Sequence, residues 1–134
     1  PQKGSSENIK VSDYMSTNLI TFTPNQSVME VMNTLIKKKI SGGPVVNDKK
    51  ELIGIISEGD CMKQISNSRY YNQPLENMTV EHHMATYVET IDGDMNVFDA
   101  AYKFLSSRRR RFPIIQHGKL IVLISQKDIL KAAI

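Results

Sequence analysis

Two stretches of this chain repeat one another in register, and that duplication restricts its fold more than any other feature. Val11-Ser12-Asp13-Tyr14-Met15 lies 69 residues before Val80-Glu81-His82-His83-Met84, and the pairs Val28/Val97 and Pro44/Pro113 keep that spacing. Beyond Asn47 to Glu51 one residue drops out, so that Leu52/Leu120, Ser57/Ser125, Asp60/Asp128 and Lys63/Lys131 follow 68 apart. A one-residue change inside a turn is what a duplicated structural unit tolerates.

Each copy has the same internal grammar. An extended segment, Asn18 to Phe22 in the first copy, ends at Thr23-Pro24, where proline disfavours helix in the residue before it. Ser27-Val28-Met29-Glu30 resembles a capping box, and Asn96-Val97-Phe98-Asp99 matches it. Val28, Val31, Met32, Leu35 and Ile36 follow helical spacing, as do Val97, Ala100, Ala101, Phe104 and Leu105. A strand beginning at Pro44 or Pro113, a polar turn and a second apolar strand (Leu52 to Ile56, Leu120 to Ile124) read as a hairpin. A last helix opens near Ser57 or Ser125. The expected fold class is therefore α+β, with two β-α-β-β-α repeats. Neither copy has a second apolar layer for its own sheet, so the two are expected to pack sheet to sheet with pseudo-two-fold symmetry. The boundaries follow: 1–10 a polar disordered tail, 11–66 repeat 1, 67–79 a linker and 80–134 repeat 2. Ile134 ends on an unfinished helical pattern, as in a piece of a longer chain.

Composition narrows the function classes. The 134 residues, 40% hydrophobic and 23% charged, are ordinary for a globular domain. The single cysteine, Cys61, excludes an intrachain disulfide and a thiolate-only metal cage. The longest aliphatic run, Leu120 to Ile124, is too short to span a membrane, so a cytoplasmic protein is expected. The net charge of +3 is local, because Arg108-Arg109-Arg110-Arg111 outweigh it by themselves. A nucleic-acid reader usually carries a broader basic stripe.

The repeated polar residues admit two readings. In Ser57-Glu58-Gly59-Asp60 and Ser125-Gln126-Lys127-Asp128, the serine can cap a helix and the aspartate favours its positive end. The same helix start can also receive an anion, and a carboxylate beside it can grip the neighbouring hydroxyls of a ribose. The arginine run is either a solvated helix end or, at Arg110 and Arg111, a guanidinium pair within reach of a phosphate.

The paired pattern resembles a tandem CBS-domain pair, the Bateman module, over Val11 to Ile134. Its signature stands here as Gly54-Ile55-Ile56-Ser57-Glu58-Gly59-Asp60 and Val122-Leu123-Ile124-Ser125-Gln126-Lys127-Asp128. The resemblance implies a non-catalytic sensor that binds AMP, ADP, ATP or S-adenosylmethionine as a regulatory ligand in clefts between the repeats, commonly as a homodimer. It makes Asp60 and Asp128 the ribose acceptors and Ser57 and Ser125 contacts to ribose or the first phosphate. Ser41 and Gly42, and Arg110 and Arg111, would line the clefts. Adenine would rest near Thr17, Ile20 and Ile40 in one cleft and near Val88 and Arg109 in the other. Each cleft would draw its aspartate and its base pocket from opposite repeats. Val122 stands where the family favours glycine, and its side chain either crowds the base or fills the core.

Other residues promise less. Neighbouring histidines on an extended strand point to opposite faces, so His82-His83 is not expected to hold a metal. Cys61 is expected to be a packed thiol. No Gly-rich phosphate loop, paired catalytic carboxylates or nucleophile–base pair is visible, which argues against an enzyme and a catalytic cofactor. The alternative function is a nucleic-acid-binding or protein-interaction module built on Arg108 to Arg111.

Overall fold

The computed structural model describes residues 10–11 and 19–134. By its internal contacts the chain forms two compact units, a central one (Ile20–Val88) and a flanking one (Pro1–Leu19 with Glu89–Ile134).

The central unit holds α1 (Val28–Lys38), β1 (Gly42–Val46), β2 (Leu52–Ser57) and α2 (Glu58–Tyr71), followed by 3-10 turns at Leu75–Asn77 and Val80–His82. Strands β1 and β2 form an antiparallel hairpin in which Gly42 pairs with Ser57. The expected first strand is here a single parallel bridge from Phe22 to Val45. The flanking unit contains β3 (Ile91–Asp92), α3 (Val97–Ser107), β4 (Arg111–Gln116), β5 (Lys119–Ser125) and α4 (Gln126–Ala133). Its sheet has the order β3-β4-β5, with β3 parallel to β4 and β4 antiparallel to β5.

The duplicated sequence produces duplicated detail. Both hairpins shift register at corresponding places, Val45/Val46 and Ile114/Ile115. Helices α1 and α3 both end on a cation in the left-handed conformation, Lys39 at φ 56° and Arg108 at φ 58°. The missing residue lies in the turn. The first hairpin closes through Asn47, whose side-chain oxygen accepts the amides of Lys49 and Glu51. The second turns on His117 and Gly118 alone, both at positive φ, the geometry of a two-residue hairpin loop.

The cores sit between each sheet and its helices. Val28, Val31 and Leu35 of α1 pack with Phe22, Val45, Ile56, Met78 and Val80 in the central unit. In the flanking unit Val97, Ala100 and Phe104 pack with Phe112, Ile114, Val122, Ile124 and Ile129. Aromatic volume is exchanged between corresponding positions. Gly43 leaves room for Phe22, whose ring would lie 2.8 Å from a Cβ there. Its counterpart Phe112 is itself buried and meets Phe104 edge-on at 4.8 Å. Val11 is fully buried in the flanking core and its amide donates to Met95 O, whereas its repeat partner Val80 is fully buried in the central core. Val11 and Val80 thus each pack in a different unit from the helix that follows them in sequence.

The apolar stripe of each first helix is narrower than its spacing predicts. Ile36 and Leu105, expected on the buried faces, are 75% and 79% exposed. The buried face is made by Val28, Val31 and Leu35 in α1 and by Val97, Ala100 and Phe104 in α3.

Candidate functional site

The sites build from the second hairpin strand of each unit and the helix that follows it directly. Ser57 closes β2 with extended backbone and caps α2. Its amide donates to Asp60 Oδ2 at 2.9 Å and its hydroxyl to the same oxygen at 3.1 Å, while the Asp60 amide donates to Ser57 Oγ at 3.4 Å. Ser125 and Asp128 repeat this at the start of α4, with 2.8, 3.0 and 3.3 Å. Both are complete capping boxes, in which side chain and backbone satisfy one another reciprocally. The capping role read from the residue types is therefore real. It engages only one carboxylate oxygen: neither Asp60 Oδ1 nor Asp128 Oδ1 takes a hydrogen bond among the described residues. Both aspartates are half-buried, and each retains an acceptor beside the positive end of a helix.

Ser27 and Asn96, the corresponding caps of α1 and α3, are simpler. Each accepts one amide, from Glu30 at 3.1 Å and Asp99 at 2.8 Å. The Glu30 carboxylate takes the Ser27 hydroxyl and the Gln26 side-chain amide, not the reciprocal backbone bond that its spacing suggests.

The residues just before each strand proline abut the helix start of their own unit. The Glu58 amide donates to Ser41 O at 2.8 Å, and a Cβ on Gly42 would stand 2.8 Å from Ile56 O. Ile20 and Ile40 pack against the central core at its edge. In the flanking unit Arg111 pairs with Ser125 across the hairpin, and Gln126 Nε2 donates to Arg109 O at 3.4 Å. Arg109 Nε also meets Glu89 Oε1 at 3.3 Å, a partner that a twenty-residue separation hid from sequence reading. Arg110 and Arg111 are exposed and form no ion pair among the described residues. Val88 is half-buried at the end of the central unit, and Thr17 lies outside the described residues.

Gly54 has a clear structural task. A Cβ there would stand 2.6 Å from Met84 Sδ and 2.8 Å from Ala85 O. Ile55 and Ala85 exchange two backbone hydrogen bonds, of 2.9 and 2.8 Å, across this close approach. The glycine admits a neighbouring backbone. Its counterpart Val122 is buried in the flanking core, which settles its side chain as core filling.

The histidines depart from expectation. Residues 80–82 form a 3-10 turn in place of an extended strand, so His82 and His83 line one shallow cup of about 270 Å³ with Gln73, Asn77 and Thr79. Burial and the neighbouring His82 lower the pKa of His83, Lys63 adds to this, and Asp60 opposes it. No group of three or more His, Cys, Asp or Glu side chains gathers among the described residues. Cys61 is a buried free thiol, and burial followed by Asp60 and Glu58 raises its pKa. No helix among the described residues is long and apolar enough to cross a membrane.

Comparison with known proteins agrees with this architecture. The CBS domain family matches residues 11–67 and 80–134, which together make up most of the chain. The chain is 27% identical to an uncharacterized protein, MJ1225 of Methanocaldococcus jannaschii, over 92% of its own length but only 42% of that protein's. Among solved structures, Arabidopsis thaliana CBSX2 in complex with AMP superposes with a TM-score of 0.78 at 27% identity, covering 93% of this chain and 96% of that one. The CBS domain pair of MJ0100, in complex with 5'-methylthioadenosine and S-adenosyl-L-methionine, superposes at 0.72 with 27% identity, covering 91% and 97%. Two in-register matches, each ending in a strand, a capping serine and an aspartate, make this chain a tandem pair of the CBS domain family.

Proposed function

We propose that the chain is a regulatory sensor that binds an adenosine-containing ligand (AMP, ADP, ATP or S-adenosylmethionine) at the starts of α2 and α4. The observation that carries this reading is the Oδ1 of Asp60 and of Asp128, which takes no hydrogen bond among the described residues and is held half-buried beside a helix N-terminus by bonds to Oδ2. A ribose diol donates two hydrogen bonds, and a carboxylate accepts them with charge assistance. The AMP complex of CBSX2 and the adenosyl complexes of MJ0100 support the ligand class. The module has no catalytic role in this reading. It acts by differential affinity for two conformations, since a ligand shifts an equilibrium only to that extent. We place it in the cytoplasm, where such ligands are available, and as a homodimer.

The test is calorimetry with AMP, ATP and S-adenosylmethionine on wild type, Asp60→Asn and Asp128→Asn. Asparagine keeps an oxygen for the cap and removes the charge. Each substitution is expected to weaken binding about tenfold to a hundredfold, from a charge-assisted bond of about 1.5–3 kcal/mol. Equal affinities for all three folded proteins would reject the site.

A second reading rests on the four consecutive exposed arginines at 108–111. As a nucleic-acid contact they predict steeply salt-dependent binding that free ATP does not displace and that neither aspartate influences.

A further inference from the structure

The two helix starts share a scaffold but carry opposite charge, and we infer that they select different ligands. The α4 start takes a phosphate-bearing nucleotide, and the α2 start takes an adenosyl compound without phosphate, neutral or cationic. This inference rests on the adenosine-binding reading and adds a division of labour within it.

Three positions set the difference. Ile40, Ser41 and Gly42 of the central unit correspond to Arg109, Arg110 and Arg111 of the flanking unit. Both triplets touch their own helix start: Ser41 O accepts the first amide of α2, Gly42 pairs with Ser57, Arg111 pairs with Ser125, and Arg109 O accepts from Gln126. Around α2 the first turn adds Glu58 and Asp60 and no cation. Around α4 the first turn adds Lys127 as well as Asp128. Arg109 is engaged by Glu89, which leaves Arg110 and Arg111 as exposed guanidinium groups beside the helix.

This asymmetry is built into the backbone and is not an interchangeable feature of the surface. A Cβ on Gly42 would meet Ile56 O at 2.8 Å and Ser57 Cα at 3.1 Å, both main-chain atoms. The α2 start therefore admits no side chain where the α4 start carries Arg111. Phosphate oxygens gain from helix amides and from bidentate guanidinium contacts together. Next to Glu58 and Asp60, with no guanidinium to offset them, a polyphosphate meets like charge, whereas a sulfonium or an uncharged adenosyl group does not.

The experiment is calorimetric titration of ATP and S-adenosylmethionine into wild type, Asp60→Asn, Asp128→Asn and the double variant Arg110→Ser/Arg111→Ser, with Arg110→Lys/Arg111→Lys as the charge-retaining control and melting curves to verify folding. ATP affinity is expected to fall at least tenfold in the serine variant and about threefold or less in the lysine variant, with S-adenosylmethionine affinity unchanged within twofold in both. Asp128→Asn should weaken ATP alone, and Asp60→Asn S-adenosylmethionine alone. If both ligands weaken by the same factor in the serine variant, or each aspartate variant weakens both ligands alike, the division is wrong while adenosine binding stands. If wild type binds neither compound, the adenosine-binding reading fails with it.

Discussion

Replacing Gly54 with alanine tests one of the close backbone approaches in the central unit. The new methyl carbon would lie 2.6 Å from Met84 Sδ and 2.8 Å from Ala85 O. The methionine can swing away, but the carbonyl cannot, because it accepts the Ile55 amide at 2.9 Å while Ile55 O accepts the Ala85 amide at 2.8 Å. Relief requires β2 and the segment at Ala85 to part. Losing two such bonds costs about 0.5–1.5 kcal/mol each. Forcing extra volume into a packed site costs about 1–3 kcal/mol. The sum is roughly 2–6 kcal/mol, against a total stability of about 5–15 kcal/mol for a domain. At about 2–8 °C per kcal/mol the melting temperature should drop by at least ~4 °C. Thermal melting and native-state hydrogen exchange at the Ile55 and Ala85 amides measure both consequences. A variant that melts within a degree or two of wild type, with both amides still protected, refutes the reasoning. If the glycine served a ligand's base instead, binding would weaken while melting stayed unchanged.

Three further expectations follow from individual side chains. Ser125→Ala removes the oxygen that accepts the Asp128 amide and should cost about 0.5–2 kcal/mol in urea denaturation; an unchanged midpoint would mean that water caps α4 equally well. Cys61, with its thiol pushed up by burial and then by Asp60 and Glu58, should resist a thiol reagent at pH 8 until urea unfolds the protein; labelling of the native protein at the rate of a free thiol would contradict its placement. His83 has its pKa lowered, by burial first and then by His82, so below about pH 6.5 the unfolded chain binds the proton more readily than the folded one. Stability is thus intact above that pH and declines as pH falls through 6.5 toward the lower folded value. His83→Gln should flatten that decline between pH 7 and 5, by a small amount because the ring is largely solvated; a slope identical to wild type would remove His83 from the acid response.

The duplication, both hairpins, all four helices and the capping serines Ser57 and Ser125 were legible in the residues, because each depends on neighbours a few positions apart, whereas the capping boxes expected at Ser27 and Asn96 form only as single caps. The serine and the aspartate three residues later form a cap whatever the rest of the chain does, and a proline-led apolar run followed by a polar turn has few alternatives to a hairpin. Other features depend on atoms far away in sequence, and there the pattern was silent or misleading. Helical periodicity placed Ile36 and Leu105 with the core, but only the folded structure shows that the buried face stops at Leu35 and Phe104. The histidine pair, expected on an extended strand, stands at the end of a 3-10 turn that closes on His82, because the chain there follows the packing of Val80 in the central core. Gly54 gave no sign of Ala85, nor Arg109 of Glu89. Local chemistry thus settled which elements form and how their ends are capped. Tertiary packing decided which core Val11 and Val80 join, because a buried valine reads the same in either copy and its neighbours come from residues far away in sequence.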